Sequence, residues 1–180
     1  MALIALVLAA CGDDPTGKST EQVTAGENLL VLSGSVERTD KGLTGNATLA
    51  GSNNLVHELN KFALAFYLED GGSITLLANG GEGLANAAEI KLVRNGNKIT
   101  QAVASAAGAT ITIEVDFDAT GLVEVNVEVH QEGATHIIVY PKNGAKNEGE
   151  ELGELTGRTW GLKLANATLA SVAVSEAQED

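Results

Sequence analysis

The chain has 180 residues, which is enough for one domain with a buried core. It carries 11 basic against 24 acidic residues, and this net charge of −13 argues against binding of nucleic acid or anionic lipid through a basic surface. A single cysteine excludes an internal disulfide. Three Phe, two Tyr and one Trp leave most of the core to be filled by Val, Leu, Ile and Ala.

The N-terminal segment is apolar from Ala2 to Ala10 and ends in the cysteine, Cys11. The run is shorter than the roughly 20 residues that a membrane-spanning helix needs. Small residues before a peptidase cleavage site are typical of a signal segment. Leu8-Ala9-Ala10-Cys11 resembles the lipobox of bacterial lipoproteins. This resemblance implies that residues 1–10 are a cleaved signal segment and that Cys11 carries lipid. Because no Lys or Arg precedes the run, we expect the true start codon upstream.

Two other interpretations of this region stay open. One is a buried apolar strand that carries an ordinary buried cysteine. The other is a phosphate-binding loop, because Gly12–Ser19 fits the pattern G-x-x-x-x-G-K-[ST]. That motif requires a helix to follow it, and residues 19–28 lack a helical apolar stripe. A flexible, polar tether over residues 11–27 is therefore favoured.

From Leu29 onward, apolar and polar residues alternate with a period of two, and no segment sustains a helical period. Such short strands at near-regular spacing are typical of an all-β fold, a two-sheet antiparallel sandwich of the jelly-roll type. We place this domain at residues 28–176 and a tail at 177–180. The predicted strands are 29–37, 45–50, 63–69, 73–78, 89–94, 98–103, 110–116, 122–130, 135–140, 159–164 and 168–175.

Four local patterns add detail to this prediction. Asn95-Gly96 indicates a type I′ hairpin turn between two strands. Residues 55–61 fit one short helical turn, and residues 143–154 form an acidic, Gly-rich loop. Asn46–Ala50 recurs as Asn166–Ala170, which predicts that an early and a late strand lie side by side.

The order of the segment 66–78, the central hairpins and the closing strands 160–174 resembles the concanavalin A-like lectin/glucanase sandwich. Glu114-x-Asp116-x-Asp118 is similar to the E-x-D-x-E strand of laminarinase-like glycoside hydrolases in this superfamily. The resemblance implies that Glu114 is the nucleophile, Asp116 its helper and Asp118 the acid/base. Alternate residues of a strand do project from one face, as such a retaining pair requires. We favour a solvated strand face, because Asp118 is shorter than the family's Glu and opens a turn.

The strand 122–130 alternates cleanly between two faces. Its valines, 123, 125, 127 and 129, are predicted to lie in the core. The opposite row is either a surface that binds sugar or a cation, or the solvent face of a half-buried sheet. On both interpretations Glu128 contacts solvent, and Glu128→Lys is expected to change stability by less than about 0.5 kcal/mol. The row consists of Glu124, Asn126, Glu128 and His130.

No strong metal motif is present in the sequence. The three histidines lack the spacing of a zinc site, although His130 and His136 are expected to meet across a turn. The segment 116–121 begins like a calcium-binding loop, but Val127 occupies the position of the required bidentate Glu. We therefore predict no cofactor, with only weak support for Ca²⁺.

Together these patterns predict a lipid-anchored sandwich of the bacterial cell envelope. We expect a non-catalytic binding or structural module whose partner is a glycan or an envelope protein. A divergent glycoside hydrolase of the laminarinase-like type is the alternative. Gly12 stands where an aspartate marks inner-membrane retention in enterobacterial lipoproteins, so the outer membrane is weakly favoured.

The lipid anchor is tested by expressing the chain from an upstream start, beside its Cys11→Ser variant. The parent is expected in the membrane fraction, because each buried acyl CH₂ contributes about 0.8 kcal/mol. The variant should be released or remain unprocessed. Equal membrane partition of the two proteins would contradict the prediction.

Overall fold

The structure, a computed structural model, describes residues 21–24, 29–147 and 149–178, and most of these residues lie in strands. In the described part of the chain, the one helical element is a short 3-10 turn at Glu82–Leu84, between two strands. The predicted all-β class is therefore confirmed. The strands are β1 (Glu21–Thr24), β2 (Leu29–Thr39), β3 (Gly42–Gly51), β4 (Leu59–Gly80), β5 (Ala88–Val93), β6 (Lys98–Ala106), β7 (Ala109–Asp118), β8 (Val123–Glu132), β9 (Ala134–Pro141), β10 (Glu150–Leu152) and β11 (Thr159–Glu176).

Two long strands, β4 and β11, pair with each other and contribute to both sheets. The first part of β4 pairs with β8, whereas its last part pairs with β5. One sheet therefore has the order β10-β9-β8-β4-β11-β1, and the other has the order β7-β6-β5-β4-β11-β3-β2; β4 and β11 join the two into one continuous hydrogen-bonded network. The pairs are antiparallel, which confirms the predicted two-sheet antiparallel sandwich.

Each of these long strands replaces two predicted ones. The predicted strands 63–69 and 73–78 form β4, and 159–164 and 168–175 form β11. The intervening glycines bend β4 without ending it: Gly71 has φ 76°, and Gly72 lies so close to the carbonyl of Asn166 that an added Cβ would collide with it. The Gly-rich break is thus a corner of the sandwich.

The repeated pentapeptide lies in neighbouring strands, as predicted. β3 and β11 pair, with Ala47 opposite Leu164 and Gly45 opposite Ala167. At the bend between these pairs, the backbone N–H of Asn166 donates a hydrogen bond to Asn46 Oδ1 at 2.9 Å. The two asparagines therefore join the strands where β11 changes direction.

The hairpin at Asn95 is present, but its turn is centred one residue later than predicted. Asn95 and Lys98 exchange backbone hydrogen bonds of 2.9 and 3.3 Å, which leaves Gly96 and Asn97 as the central residues. Gly96 has φ 62°, whereas Asn97 is not among the residues with positive φ. Glycine at the first central position is typical of a type II′ turn, so the predicted type I′ is wrong.

Three other local predictions are corrected. Residues 55–61 form no helical turn, because Leu55 donates to the carbonyl of Arg158 and β4 starts at Leu59. The acidic loop 143–154 contains β10, which pairs with β9. Four residues of the predicted tether form β1, which pairs with β11. The edge of a sheet offers backbone N–H and C=O groups for such pairing.

The core lies between the sheets and takes side chains from both. Phe62 and Trp160 pack with their ring centroids 5.9 Å apart, and Trp160 donates its indole N–H to the carbonyl of Asn53 at 3.0 Å. The four valines of β8 are buried, as the alternation predicted. The core therefore depends mainly on aliphatic side chains arranged with the period of the strands.

The core assignment predicts opposite outcomes for one substitution at two valines. Val127→Asp buries an unpaired carboxylate at a fully buried position and should cost several kcal/mol of unfolding free energy. Val103→Asp, at a position 37% exposed in the middle of β6, should cost about 1 kcal/mol or less. Urea denaturation of both variants measures the difference. Equal losses would contradict the assignment of the two faces.

Candidate functional site

The acidic triplet of β7 lies on the exposed face of that strand. Glu114, Asp116 and Asp118 are exposed and alternate with buried or half-buried residues, as their spacing predicted. Glu114 accepts a hydrogen bond from Gln101 at 3.1 Å, and Asp116 pairs with Lys98 at 2.6 Å. Each carboxylate therefore has a separate partner on β6 or in the following turn.

Asp118 serves as the acceptor of a tight turn. Its Oδ1 accepts hydrogen bonds from the hydroxyl of Thr120 at 2.7 Å and from the backbone N–H of Thr120 at 2.8 Å. These bonds, that of the hydroxyl first, lower the pKa of Asp118 below its ordinary value. A general acid of a glycosidase needs a raised pKa, so the local structure of Asp118 favours the opposite protonation state.

The polar row of β8 is largely buried, which corrects its placement on the solvent face. Asn126 and Glu128 are only 3% and 1% exposed, whereas Glu124 and His130 are half-buried. The row lies on the outer side of its sheet, opposite the core valines. Its burial comes from the segment 141–147, since Asn126 donates to the carbonyl of Lys142 at 3.3 Å and Lys146 reaches Glu128 at 3.4 Å.

Glu128 is the centre of a buried hydrogen-bond network. Its carboxylate accepts a short hydrogen bond from the Tyr140 hydroxyl on β9 and contacts His130 Nε2 at 3.0 Å. Lys61 lies over the ring of Tyr140, with Nζ 5.7 Å from the ring centroid. The carboxylate is thus enclosed by donors and cations, and it has little surface left for a ligand.

The protonation of Glu128 follows from these contacts. Burial alone would raise the pKa of Glu128. The hydrogen bonds from Tyr140 and His130, together with the charge of Lys146, outweigh burial and hold the pKa below its ordinary value. Glu128 is therefore ionised at neutral pH and holds the segment 141–147 to the sheet through Lys146.

The histidines do not converge on a metal site. His130 and His136 are opposite each other in the β8–β9 pair, as predicted. His136 instead contacts Glu151 at 3.2 Å, and His57 contacts Glu176 at 3.6 Å. Among residues 29–147 and 149–178, no group of three or more His, Cys, Asp or Glu side chains is arranged to hold a metal ion.

A cleft of about 560 Å³ at one end of the sandwich is the feature that the sequence did not predict. Three loops form it: the segment after β4, the β6–β7 turn and the segment before β11. Its volume lies within the range of about 300–1,000 Å³ that is typical of ligand sites. Small residues expose backbone to the cleft, among them Gly81, Ala85, Ala87, Gly108 and Gly157.

Polar side chains from all three parts of the chain complete the cleft. Asn79, Asn86, Glu154 and Thr156 line it, and Asn79 is the most buried of them at 2% exposed. Asn79 donates from Nδ2 to the carbonyl of Gly157 at 3.2 Å, whereas its Oδ1 is buried without a partner among the described residues. An unsatisfied buried acceptor costs about 1–3 kcal/mol, and this oxygen has no exposed surface at which a ligand could reach it.

The loops around the cleft hold most of the strained backbone. Five non-glycine residues of the described chain have positive φ, and four of them lie around the cleft: Asn79 at the end of β4, and Leu84, Asn86 and Ala107 in the loops. Such conformations cost about 1–3 kcal/mol each and cluster at functional sites. Gly157 is pressed against the backbone of Asn79 and Gly80 so closely that a Cβ would collide with it. The walls of the cleft are therefore built from backbone conformations that the surrounding structure must hold in place.

The predicted lipobox and the phosphate-binding pattern lie outside the described residues, so Cys11 lipidation stays a prediction. Within the described residues, no helix has the length and apolarity that a membrane crossing requires.

Comparison with known proteins supports the fold. No family model and no curated protein matches the sequence. Among solved structures, the exoplasmic/lumenal domain of VIP36 with Ca²⁺ and Man3GlcNAc bound aligns with a TM-score of 0.63 at 9% identity, over 88% of this chain and 89% of that one. Apo Crh5 transglycosylase aligns with a TM-score of 0.61 at 13% identity, over 91% and 85%. The carbohydrate binding module CBM66 from Bacillus subtilis aligns with a TM-score of 0.53 at 13% identity, over 85% and 93%.

These alignments support the resemblance to the concanavalin A-like sandwich. At identities of 9–13%, these alignments show a shared fold and nothing beyond the fold.

The Glu128 network predicts a stability loss that depends on pH. Glu128→Gln should lower the free energy of unfolding by about 1–3 kcal/mol at pH 7, because charged hydrogen bonds are lost. A pKa below the unfolded value contributes stability above the unfolded pKa, and this stability is lost as pH falls through the folded pKa. The gap between wild type and variant should therefore shrink below about pH 4.

Urea denaturation at pH 7, 5, 4 and 3 measures this gap, with Glu124→Gln as the control. Glu124 forms an exposed pair with Lys142, and its loss should cost less than about 1 kcal/mol throughout. A gap for Glu128→Gln that stays constant from pH 7 to pH 3 would contradict the assigned network.

Proposed function

We propose that this protein is a non-catalytic carbohydrate-binding module of the bacterial cell envelope, held there by lipid on Cys11. The site is the cleft at the end of the sandwich. The outer membrane is the favoured location, and the envelope glycans and proteins around it are the expected partners.

One observation carries the proposal: a polar cleft, built by strained loops, is lined by the exposed side chains of Asn86, Glu154 and Thr156. Sugar hydroxyl groups both donate and accept hydrogen bonds, as the amide, carboxylate and hydroxyl groups of this lining require. The comparisons add support, because the fold neighbours include a carbohydrate binding module and a VIP36 domain with Man3GlcNAc bound.

The composition of the cleft limits the expected affinity. No aromatic side chain is among the described residues that line it, so stacking on sugar rings contributes nothing there. Binding then depends on hydrogen bonds that replace bonds to water, which have a small net value each. We expect a Kd on the order of 10⁻⁴ M or weaker.

A glycoside hydrolase that uses Glu114, Asp116 and Asp118 is the second candidate. The fold neighbour Crh5, a transglycosylase, favours it. Against it stand the separate partners of the three carboxylates and the lowered pKa of Asp118. Retaining hydrolysis needs one carboxyl group that stays protonated near the glycosidic oxygen.

Filling the cleft is expected to abolish sugar binding. Ala85 is exposed and lines the cleft, so Ala85→Trp should remove binding to immobilised oligosaccharides without a loss of stability. Ala145→Trp, at an exposed residue of the segment over β8, is the matched control and should bind like wild type. Binding is measured with Ca²⁺ and with a chelator. Loss of binding in the control but not in Ala85→Trp would move the site to the β8 face.

The non-enzyme assignment predicts no turnover of β-glucans. Reducing-sugar release by the wild-type domain is compared with that of Glu114→Gln, and both should equal the protein-free blank. Turnover by the wild type that Glu114→Gln abolishes would establish the hydrolase instead.

A further inference from the structure

The backbone donors along one wall of the cleft are already used. In the segment after β4, the N–H groups of Gly81, Ala85 and Ala87 donate to the carbonyls of Ala85, Glu82 and Leu84 at 2.7–3.3 Å. Anion sites on protein backbone depend on N–H groups that are free to point at the ligand. These three N–H groups are therefore not free to bind a carboxylate or a phosphate.

The polar side chains exposed in the cleft are Asn86, Thr156 and Glu154. The amide of Asn86 and the hydroxyl of Thr156 can each donate and accept a hydrogen bond. Glu154 is the only charged side chain among the described residues that line the cleft. Its carboxylate accepts hydrogen bonds and repels an anionic group.

From this single negative charge in the described lining we infer that the cleft selects neutral sugars and rejects uronates, with Glu154 as the residue that determines this specificity. The inference rests on the proposed sugar-binding function. Hydroxyl groups of a neutral sugar donate to the Glu154 carboxylate. A C6 carboxylate in the same place would meet the negative charge of Glu154 without a cation beside it in the described lining.

The experiment measures the ratio of two affinities in wild type and two variants. The probes are oligosaccharides of glucose, mannose, galactose and N-acetylglucosamine, and each neutral hexose sugar that binds is paired with its counterpart oxidised to the uronate at C6. Glu154→Gln keeps the shape of the side chain and removes its charge. Glu150→Gln is the matched control, because Glu150 is also exposed, four residues earlier on β10, but does not line the cleft.

Wild type is expected to prefer the neutral sugar, and Glu154→Gln should reduce that preference by about tenfold, mainly through stronger uronate binding. Glu150→Gln removes the same net charge and should leave the preference within about twofold of wild type. Equal changes in the two variants would overturn the inference while sugar binding stands. If wild type binds no probe, the proposed function itself fails, and the inference fails with it.

Discussion

The pairing of β4 with β11 is the constraint on which the rest of the structure depends. The two strands lie side by side through both sheets, from Asn60 opposite Glu176 to Gly80 opposite Thr159. Since β8 and β5 attach to different halves of β4, the bend at Gly71 and Gly72 turns one sheet over the other. The end of this pair also carries two of the three loops that form the cleft.

Sequence periodicity predicted the class of fold and the buried valines, because alternation reports directly which face of a strand is covered. Periodicity could not distinguish a bend within a strand from the end of a strand, since the glycines at 71 and 72 are compatible with both. It also misplaced Glu128 on the solvent face. The side chain is covered by the segment 141–147, and that contact joins residues that no local pattern connects.

The cleft was beyond prediction from the sequence for a related reason. Its walls come from three separate parts of the chain, and their meeting follows from the β4–β11 pair rather than from any motif. Asparagine tolerates the left-handed conformation, so Asn79 and Asn86 weakly indicated backbone of positive φ. Ala107 and Leu84 did not indicate it, because their residue types disfavour the backbone conformation that they adopt here.

The central claim is that sugar binds at the end cleft, and amide chemical shifts measure this most directly. A ¹⁵N-labelled sample is titrated with the neutral oligosaccharides, and the perturbed residues are mapped onto the fold. Binding at the cleft should shift the amide signals of Asn79, Asn86, Gly108 and Gly157 and leave those of residues 114–118 and 124–130 unchanged. Shifts confined to β7 or β8 would contradict it.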